Sequence, residues 1–117
     1  MIEEKAKELG RVLGQSAEYQ AVKRANDAMG ADKEAIGHLQ QMERLRTEVQ
    51  RAMEQGKRPT EEQERQLDDL LGKIQGNATY QRFIAAQENL DKVMARVNEW
   101  IVEGMEQGAA SRIITLG

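Results

Sequence analysis

Hydrophobic residues recur every three or four positions along most of this 117-residue chain, and this spacing predicts amphipathic helices. The first run steps by four, three and four residues, and it consists of Ile2, Ala6, Leu9 and Leu13. The segment 14–16 (Gly-Gln-Ser) weakens the run, and Ser16 is placed to cap a second helical piece that continues to Met29. The pattern leaves open whether residues 2–29 form one kinked helix or two short ones.

Turn residues separate the helices that follow. Gly30-Ala31-Asp32 predicts a glycine stop followed by an aspartate N-cap, so the next helix should run from about Lys33 to Gln55. The segment GKRPTEEQ (56–63) then ends that helix at its glycine. Thr60 and Gln63 have the spacing of a capping box, which predicts the start of a third helix.

A fourth helix is predicted from about Ala78 to Gln107, with Asn77 as its N-cap, and it would be about 45 Å long. A heptad assignment gives core positions at Tyr80, Phe83, Gln87, Leu90, Met94, Val97, Ile101 and Gly104. Further apolar residues flank them, so this helix should pack against more than one neighbour. Gln87 is a polar residue in this stripe, and a buried amide without a partner costs about 1–3 kcal/mol. Its amide is therefore expected to meet a partner within the bundle or across a subunit contact.

Composition supports helices rather than sheets, because charged residues make up 32% of the chain, aromatic residues only 3%, and proline occurs once. We therefore predict an all-α fold, an up-and-down antiparallel bundle of four to five helices with a long C-terminal helix. Residues 1–108 should form a single helical domain. Residues 109–117 should form a C-terminal tail, either a packed or frayed end or a docking segment with its apolar Ile113, Ile114 and Leu116.

Charge and cysteine content exclude several kinds of ligand. The net charge of −3 leaves no basic excess, so nucleic acid is not expected as a direct ligand. No run of 18 apolar residues and no apolar leader is present. Membrane association is therefore not expected, and the predicted location is the cytoplasm. The chain has no cysteine, which excludes disulfides, thiolate metal sites and cysteine-ligated clusters.

No group of residues in the sequence predicts catalysis, a metal site or a cofactor. His38 is the only histidine, and it is interpreted as a solvent-facing helix residue. The acidic residues Glu61, Glu62 and Glu64 fit the first turn of a helix, where they complement its dipole. We therefore predict that the protein is not an enzyme.

One enzymatic alternative is a small all-α enzyme of the chorismate-mutase type, which binds an anionic substrate with buried basic residues. Arg11, Arg44, Arg51 and Lys92 would be the residues required, although nothing in their spacing singles them out. A third possibility is a coiled-coil spacer, a structural protein. It would differ from an adaptor protein mainly in the partners that it contacts.

The order of these features resembles the YlbF/YmcA family of small bacterial helical proteins, and in particular its cysteine-free, YheA-like branch. The resemblance lies in three segments: SAEYQAVKRANDAMGADKEA (16–35), GKRPTEEQ (56–63) and NATYQRFIAAQENLDKVMARVNEWI (77–101). It implies a helical protein that associates through its helices and has no catalytic activity of its own. It also implies partners of the YaaT and RNase Y type, in the control of competence, sporulation, biofilm formation and messenger-RNA processing. Some relatives hold iron–sulfur clusters through cysteines, which this chain lacks, so cluster binding is not transferred.

We therefore predict a non-enzymatic adaptor or regulatory protein that forms a homo-oligomer or pairs with a paralogue. The predicted interface consists of the long-helix residues Tyr80, Phe83, Gln87, Leu90, Met94, Val97 and Ile101, with Tyr19 as a secondary candidate.

Overall fold

The computed structural model describes the backbone of residues 1–116 and the side chains of residues 1–110. This part of the chain forms five helices and contains no strand, which confirms the all-α fold with a long C-terminal helix. The helices are α1 (Ile2–Gly14), α2 (Ala17–Ala31), α3 (Lys33–Glu54), α4 (Glu61–Gln75) and α5 (Ala78–Leu116).

The first 31 residues form two helices, which answers the question that the sequence left open. The Ser16 hydroxyl donates to the Leu13 carbonyl at 2.6 Å and accepts from the Tyr19 amide at 3.2 Å. The Gln20 side chain donates to the Gly14 carbonyl at 2.7 Å. These hydrogen bonds satisfy free backbone groups at the end of α1 and the start of α2, so the turn has a defined geometry.

The predicted N-caps of the later helices are confirmed. Asp32 accepts from the Ala35 amide at 3.0 Å and starts α3. Thr60 and Gln63 form both hydrogen bonds of the capping box, at 3.0 and 3.1 Å, and start α4. The prediction that Gly30 stops α2 is wrong, because α2 continues to Ala31 and ends at the extended backbone of Asp32. One aspartate thus ends α2 and starts α3, and no left-handed glycine is needed.

A glycine does end α3, as the sequence predicted. Gly56 has φ of +78°, and the amides of Gly56 and Lys57 donate to the carbonyls of Met53 and Ala52 at 3.0 and 2.9 Å. This is a Schellman motif, which satisfies the last carbonyls of a helix and requires a left-handed residue. It directs the chain into the α3–α4 connection.

The helices pack mainly as two antiparallel pairs, α3 with α4 and α2 with α5. The α3–α4 pair contains a buried cluster of Met42, Leu45, Leu70 and Ile74, against which Leu39, Leu67 and Tyr80 pack. Tyr80 belongs to α5, so it joins the two pairs near the point where α4 ends and α5 begins.

The two pairs meet where α2 leads into α3 and α4 leads into α5. The Asn77 amide donates to the Asp32 carboxylate at 3.3 Å, which joins the N-caps of α5 and α3. The molecule is elongated, with extents of 70 × 37 × 20 Å and a radius of gyration of 22.0 Å. A compact domain of this length would have a radius of gyration of about 13 Å. Much of the surface of the long helices therefore lies outside a common core.

The last helix is longer than the sequence predicted, because α5 continues beyond Gln107 to Leu116. The apolar residues proposed for a C-terminal tail, Ile113, Ile114 and Leu116, have side chains outside the described residues. The alternatives of a packed end and a docking segment therefore stay predictions.

Candidate interaction surface

The length of α5 leaves part of it without a partner helix. α5 contains 39 residues and α2 only 15, which correspond to about 58 Å and about 22 Å. Val97, 5% exposed, is the last buried residue along the described part of α5. We call residues 98–110, all of which are exposed, the α5 overhang.

The apolar stripe of α5 continues into this overhang. Ile101 and Met105, which is 67% exposed, lie one turn apart on the same side of the helix, and Trp100, which is 54% exposed, flanks them. The Arg96 guanidinium lies 5.3 Å from the centre of the Trp100 ring and 2.8 Å from the Glu99 carboxylate. This cation–π contact covers part of one side of the indole. The remainder of the stripe is apolar surface in contact with water, which is typical of an interaction site.

The first helix carries a second uncovered apolar face. None of the α1 side chains is buried, and the exposed fractions of Ile2 and Val12 are 87% and 65%. The helix packs weakly against α2 and makes no extensive contact with the described part of α5. An amphipathic helix normally buries its apolar face, so α1 lacks the partner that its sequence pattern implies.

Asp32 and Asn77 form a polar junction at the other end of α5. The Ala35 amide, the Thr79 side chain and the Asn77 side chain all donate hydrogen bonds to the Asp32 carboxylate and hold its pKa below the usual value. Hydrogen bonds to the charged form favour it, which explains the direction of the shift. The junction is structural, because Asp32 caps the start of α3 at the Ala35 amide and Asn77 caps the start of α5 at the Tyr80 amide.

We expect this junction to make stability depend on pH. A carboxylate with a lowered pKa stabilises the folded state above its unfolded pKa of about 4, and that contribution disappears as the pH falls through the folded value. Asp32→Asn retains a capping oxygen but no charge. The wild-type advantage in melting temperature over Asp32→Asn should be largest near pH 7 and shrink below about pH 4. A difference that stays constant down to pH 2 in thermal unfolding would contradict this assignment.

The predicted interface residues differ in how far the chain itself covers them. Tyr80 packs on the α3–α4 cluster and Val97 is buried, so both already have partners within the chain. Phe83, Gln87 and Leu90 are half-buried. The exposed members are Tyr19, Met94 and Ile101. The chain thus leaves three of the eight residues open to a partner, and their role in an interface stays a prediction.

Gln87 lies at the edge of the stripe rather than at its centre. Its side chain is half-buried, and no hydrogen bond to it is found among the described residues. Neither polar atom of its amide is among the buried atoms that lack a partner in the described part of the chain, so the amide remains in contact with water.

His38 is not the solvent-facing residue that the sequence predicted. It is half-buried, and its Nδ1 atom is buried without a hydrogen-bond partner in the described part of the chain. The reason is its position near the start of α3, where residues 35–39 are all buried or half-buried beside the junction. The acidic residues Glu61, Glu62 and Glu64 do lie in the first turn of α4, as expected.

The basic residues of the enzymatic alternative are spread over three different helices. Arg11 is on α1, Lys92 on α5, and Arg44 and Arg51 are on α3, and all four are exposed. Arg44 lines a shallow groove between α3 and α4 that also contains Glu48, Asp69 and Lys73. This mixture of charges does not provide the buried positive site that an anionic substrate requires.

Neither a metal-binding group nor a membrane-spanning helix is found among the described residues. They contain no group of three or more His, Asp or Glu side chains that could hold a metal ion. Within the same residues, every helix is too short or too polar to cross a membrane.

Sequence reasoning missed that α1 and the α5 overhang are the uncovered surfaces. The α1 stripe was visible in the sequence, and Trp100 and Met105 flank the heptad positions. Periodicity shows that a helix face is apolar, but it does not show whether another helix covers it. The difference in length between the last helix and its neighbours was the available signal.

Comparison with known proteins identifies the family. A family model described as "Control of competence regulator ComK, YlbF/YmcA" matches residues 2–106. A UPF0342 protein of Streptococcus sanguinis is 31% identical over 101 residues, which cover 86% of this chain and 90% of that protein. A UPF0342 protein of Streptococcus pneumoniae strain D39 is 28% identical over 106 residues, covering 91% and 95%. One from Limosilactobacillus reuteri is 22% identical over 101 residues, covering 86% and 82%. The chain therefore belongs to the YlbF/YmcA family.

Proposed function

We propose that this protein is a non-enzymatic helical adaptor or regulatory protein that self-associates or pairs with a paralogue. The observation that carries the proposal is the pair of uncovered apolar faces, on α1 and on the α5 overhang. Apolar surface of this kind is removed from water when another helix packs on it, which is favourable in proportion to its area.

The total surface of the chain supports association. Its accessible surface is 9406 Å² for a mass of 13.2 kDa. A compact monomer of that mass would expose about 6,400 Å². A stable interface buries about 800 Å² per partner, so the chain exposes more than enough additional surface for one.

The family supports a regulatory role that is exerted through protein contacts. Its description refers to the control of a competence regulator. By analogy, we propose partners of the YaaT and RNase Y type in the cytoplasm, and effects on competence, sporulation, biofilm formation and messenger-RNA processing. The net charge of −3 favours protein over RNA as the direct ligand.

Three members of the predicted interface are exposed and could contact a partner directly. Met94 and Ile101 lie on the α5 stripe, and Tyr19 lies near the start of α2. The half-buried Phe83, Gln87 and Leu90 would contribute their remaining exposed edges. Tyr80 and Val97 would support the surface from within the chain.

Sedimentation velocity of the purified chain at tens of micromolar tests the self-association. We expect a dimer or a larger defined species, with a weight-average sedimentation coefficient that decreases on dilution. Pairing with a paralogue is tested by adding a purified second member of the family from the same cell and measuring whether a mixed complex forms. A folded, monodisperse monomer that also does not bind the paralogue would contradict the proposal.

A further inference from the structure

The packing of α2 on α5 defines an antiparallel register. Residues Ala21, Arg24, Ala25 and Ala28 of α2 line one depression together with Thr79, Arg82 and Ala86 of α5. The end of α2 and the start of α5 meet at the Asp32–Asn77 junction, so residue numbers rise along one helix as they fall along the other. Continuing this register backwards beyond Ser16 would bring residue 6 level with residue 101.

The first helix does not continue the direction of α2 along α5. The turn at 15–16 separates α1 from α2, and α1 makes no extensive contact with the described part of α5. Three hydrogen bonds, which join Ser16 to Leu13 and Tyr19 and Gln20 to Gly14, hold this turn in place. One chain therefore presents two uncovered apolar faces that a straight continuation of α2 would have brought together.

The overhang is long enough to hold α1. α1 contains 13 residues, about 20 Å, and α5 continues from residue 98 to Leu116. Gly104 lies in the middle of the overhang stripe, and a Cβ atom there would have nothing within 4 Å. A glycine inside a helix costs about 1 kcal/mol relative to alanine, and close approach of a second helix would make use of its small size.

The charges favour α1, rather than the overhang of a second copy, as the helix that packs on the α5 overhang. Residues 98–110 contain Glu99, Glu103 and Glu106 and no basic residue, whereas the charges of α1 sum to zero. Two overhangs packed side by side would bring together two segments that each carry a net charge of −3, and like charges oppose association. α1 contributes Lys5, Lys7 and Arg11 beside its own acidic residues and avoids this repulsion.

We propose that two copies of this chain exchange their first helices, so that α1 of each copy lies along the α5 overhang of the other. This inference rests on the proposed self-association and specifies its interface. The exchange is reciprocal about a two-fold axis, as is usual for a homodimer. A single contact between helices 20 Å long is small for a stable interface of about 1,600 Å², and reciprocity doubles it.

Engineered cysteines test the exchange directly, because the chain has no cysteine of its own. Chains with Ala6→Cys and chains with Ile101→Cys carry tags of different size, are mixed, and are oxidised mildly. Both positions are exposed, so the fold of each chain should persist. We expect a disulfide between the two kinds of chain, with more mixed dimer than either symmetric dimer on a non-reducing gel.

The matched control is Lys7→Cys mixed with Ile101→Cys. Lys7 is adjacent to Ala6 but points about 100° further round the helix, away from the stripe. Its cross-linking yield with Ile101→Cys should be about tenfold lower, because cysteines whose Cβ atoms point apart do not form a disulfide.

The other outcomes separate failure of the exchange from failure of the proposed function. If a chain carrying both cysteines closes a disulfide within a monomer, α1 covers its own overhang and the exchange is wrong. If Ile101→Cys links mainly to itself, the overhangs pair with each other and only the exchange is wrong. If the protein sediments as a dimer without any mixed cross-link, the exchange fails and self-association stands. If it sediments as a monomer, the exchange fails, and the proposed function fails as well when the monomer does not bind a paralogue.

Discussion

Ile101→Asp is expected to prevent the proposed self-association and leave a folded monomer. Ile101 is 46% exposed and lies beyond Val97, the last buried residue in the described part of α5, so the fold does not depend on it. In an interface, a carboxylate at this position would lose its hydration without gaining a partner. We expect association to weaken by about 100-fold or more, which corresponds to about 3 kcal/mol. Sedimentation velocity over a range of concentrations measures the shift, and circular dichroism checks the helix content.

Val102→Asp is the matched control for this substitution. Val102 is adjacent to Ile101 and is 51% exposed, but it lies about 100° round the helix, on a surface shared with Glu99, Glu103 and Glu106. The same charge at this position should leave the sedimentation profile close to that of the wild type. If Ile101→Asp and Val102→Asp behave alike, the overhang stripe is not the interface.

Leu90 would be a poorer position for the same test. It belongs to the predicted interface, but the structure shows that it is half-buried within the chain. A charge there would destabilise the fold as well as any interface, and the two effects could not be separated by sedimentation alone.

The sequence predicted the helix boundaries well because most of them are set by local chemistry. The caps at Ser16, Asp32, Thr60 and Asn77 each depend on one side chain and an amide three residues later, and all four form. Gly30 was misread because a glycine near a helix end is only one way to stop a helix, and Asp32 already supplied the stop. Local signals of this kind can be read from a few consecutive residues.

The pairing of the helices was harder to predict, because it depends on contacts between distant residues. The stripes of α3 and α4 and that of α5 have similar periodicity, yet Ile74 is buried and Ile101 is exposed. The heptad assignment placed Tyr80 and Gln87 in the same seam, whereas Tyr80 packs on the α3–α4 cluster and Gln87 remains at an edge. A pattern shows which residues favour burial, and the lengths and directions of the neighbouring helices decide which ones achieve it.

The α3–α4 cluster and the α5 overhang should therefore be separable by mutation. Ile74 is 4% exposed in the cluster that holds α3, α4 and Tyr80 together. Ile74 lies at the end of α4, close to the start of α5, and the start of α5 is about 35 Å along that helix from Ile101. A substitution at Ile74 should lower the free energy of unfolding without changing the overhang.

Ile74→Ala is expected to lower the free energy of unfolding by about 2–5 kcal/mol, because it removes buried methyl groups and leaves a cavity among Met42, Leu45 and Leu70. Leu71→Ala is the matched control on the same turn of α4, and since Leu71 is 41% exposed the loss should be below about 1 kcal/mol. Association contributes to apparent stability, so urea unfolding is best compared in the Ile101→Asp background at one protein concentration. Equal losses for the two variants would mean that Ile74 does not belong to a core. A large loss for Ile74→Ala alone would show that Ile74 belongs to a core that folds without the surface proposed for association.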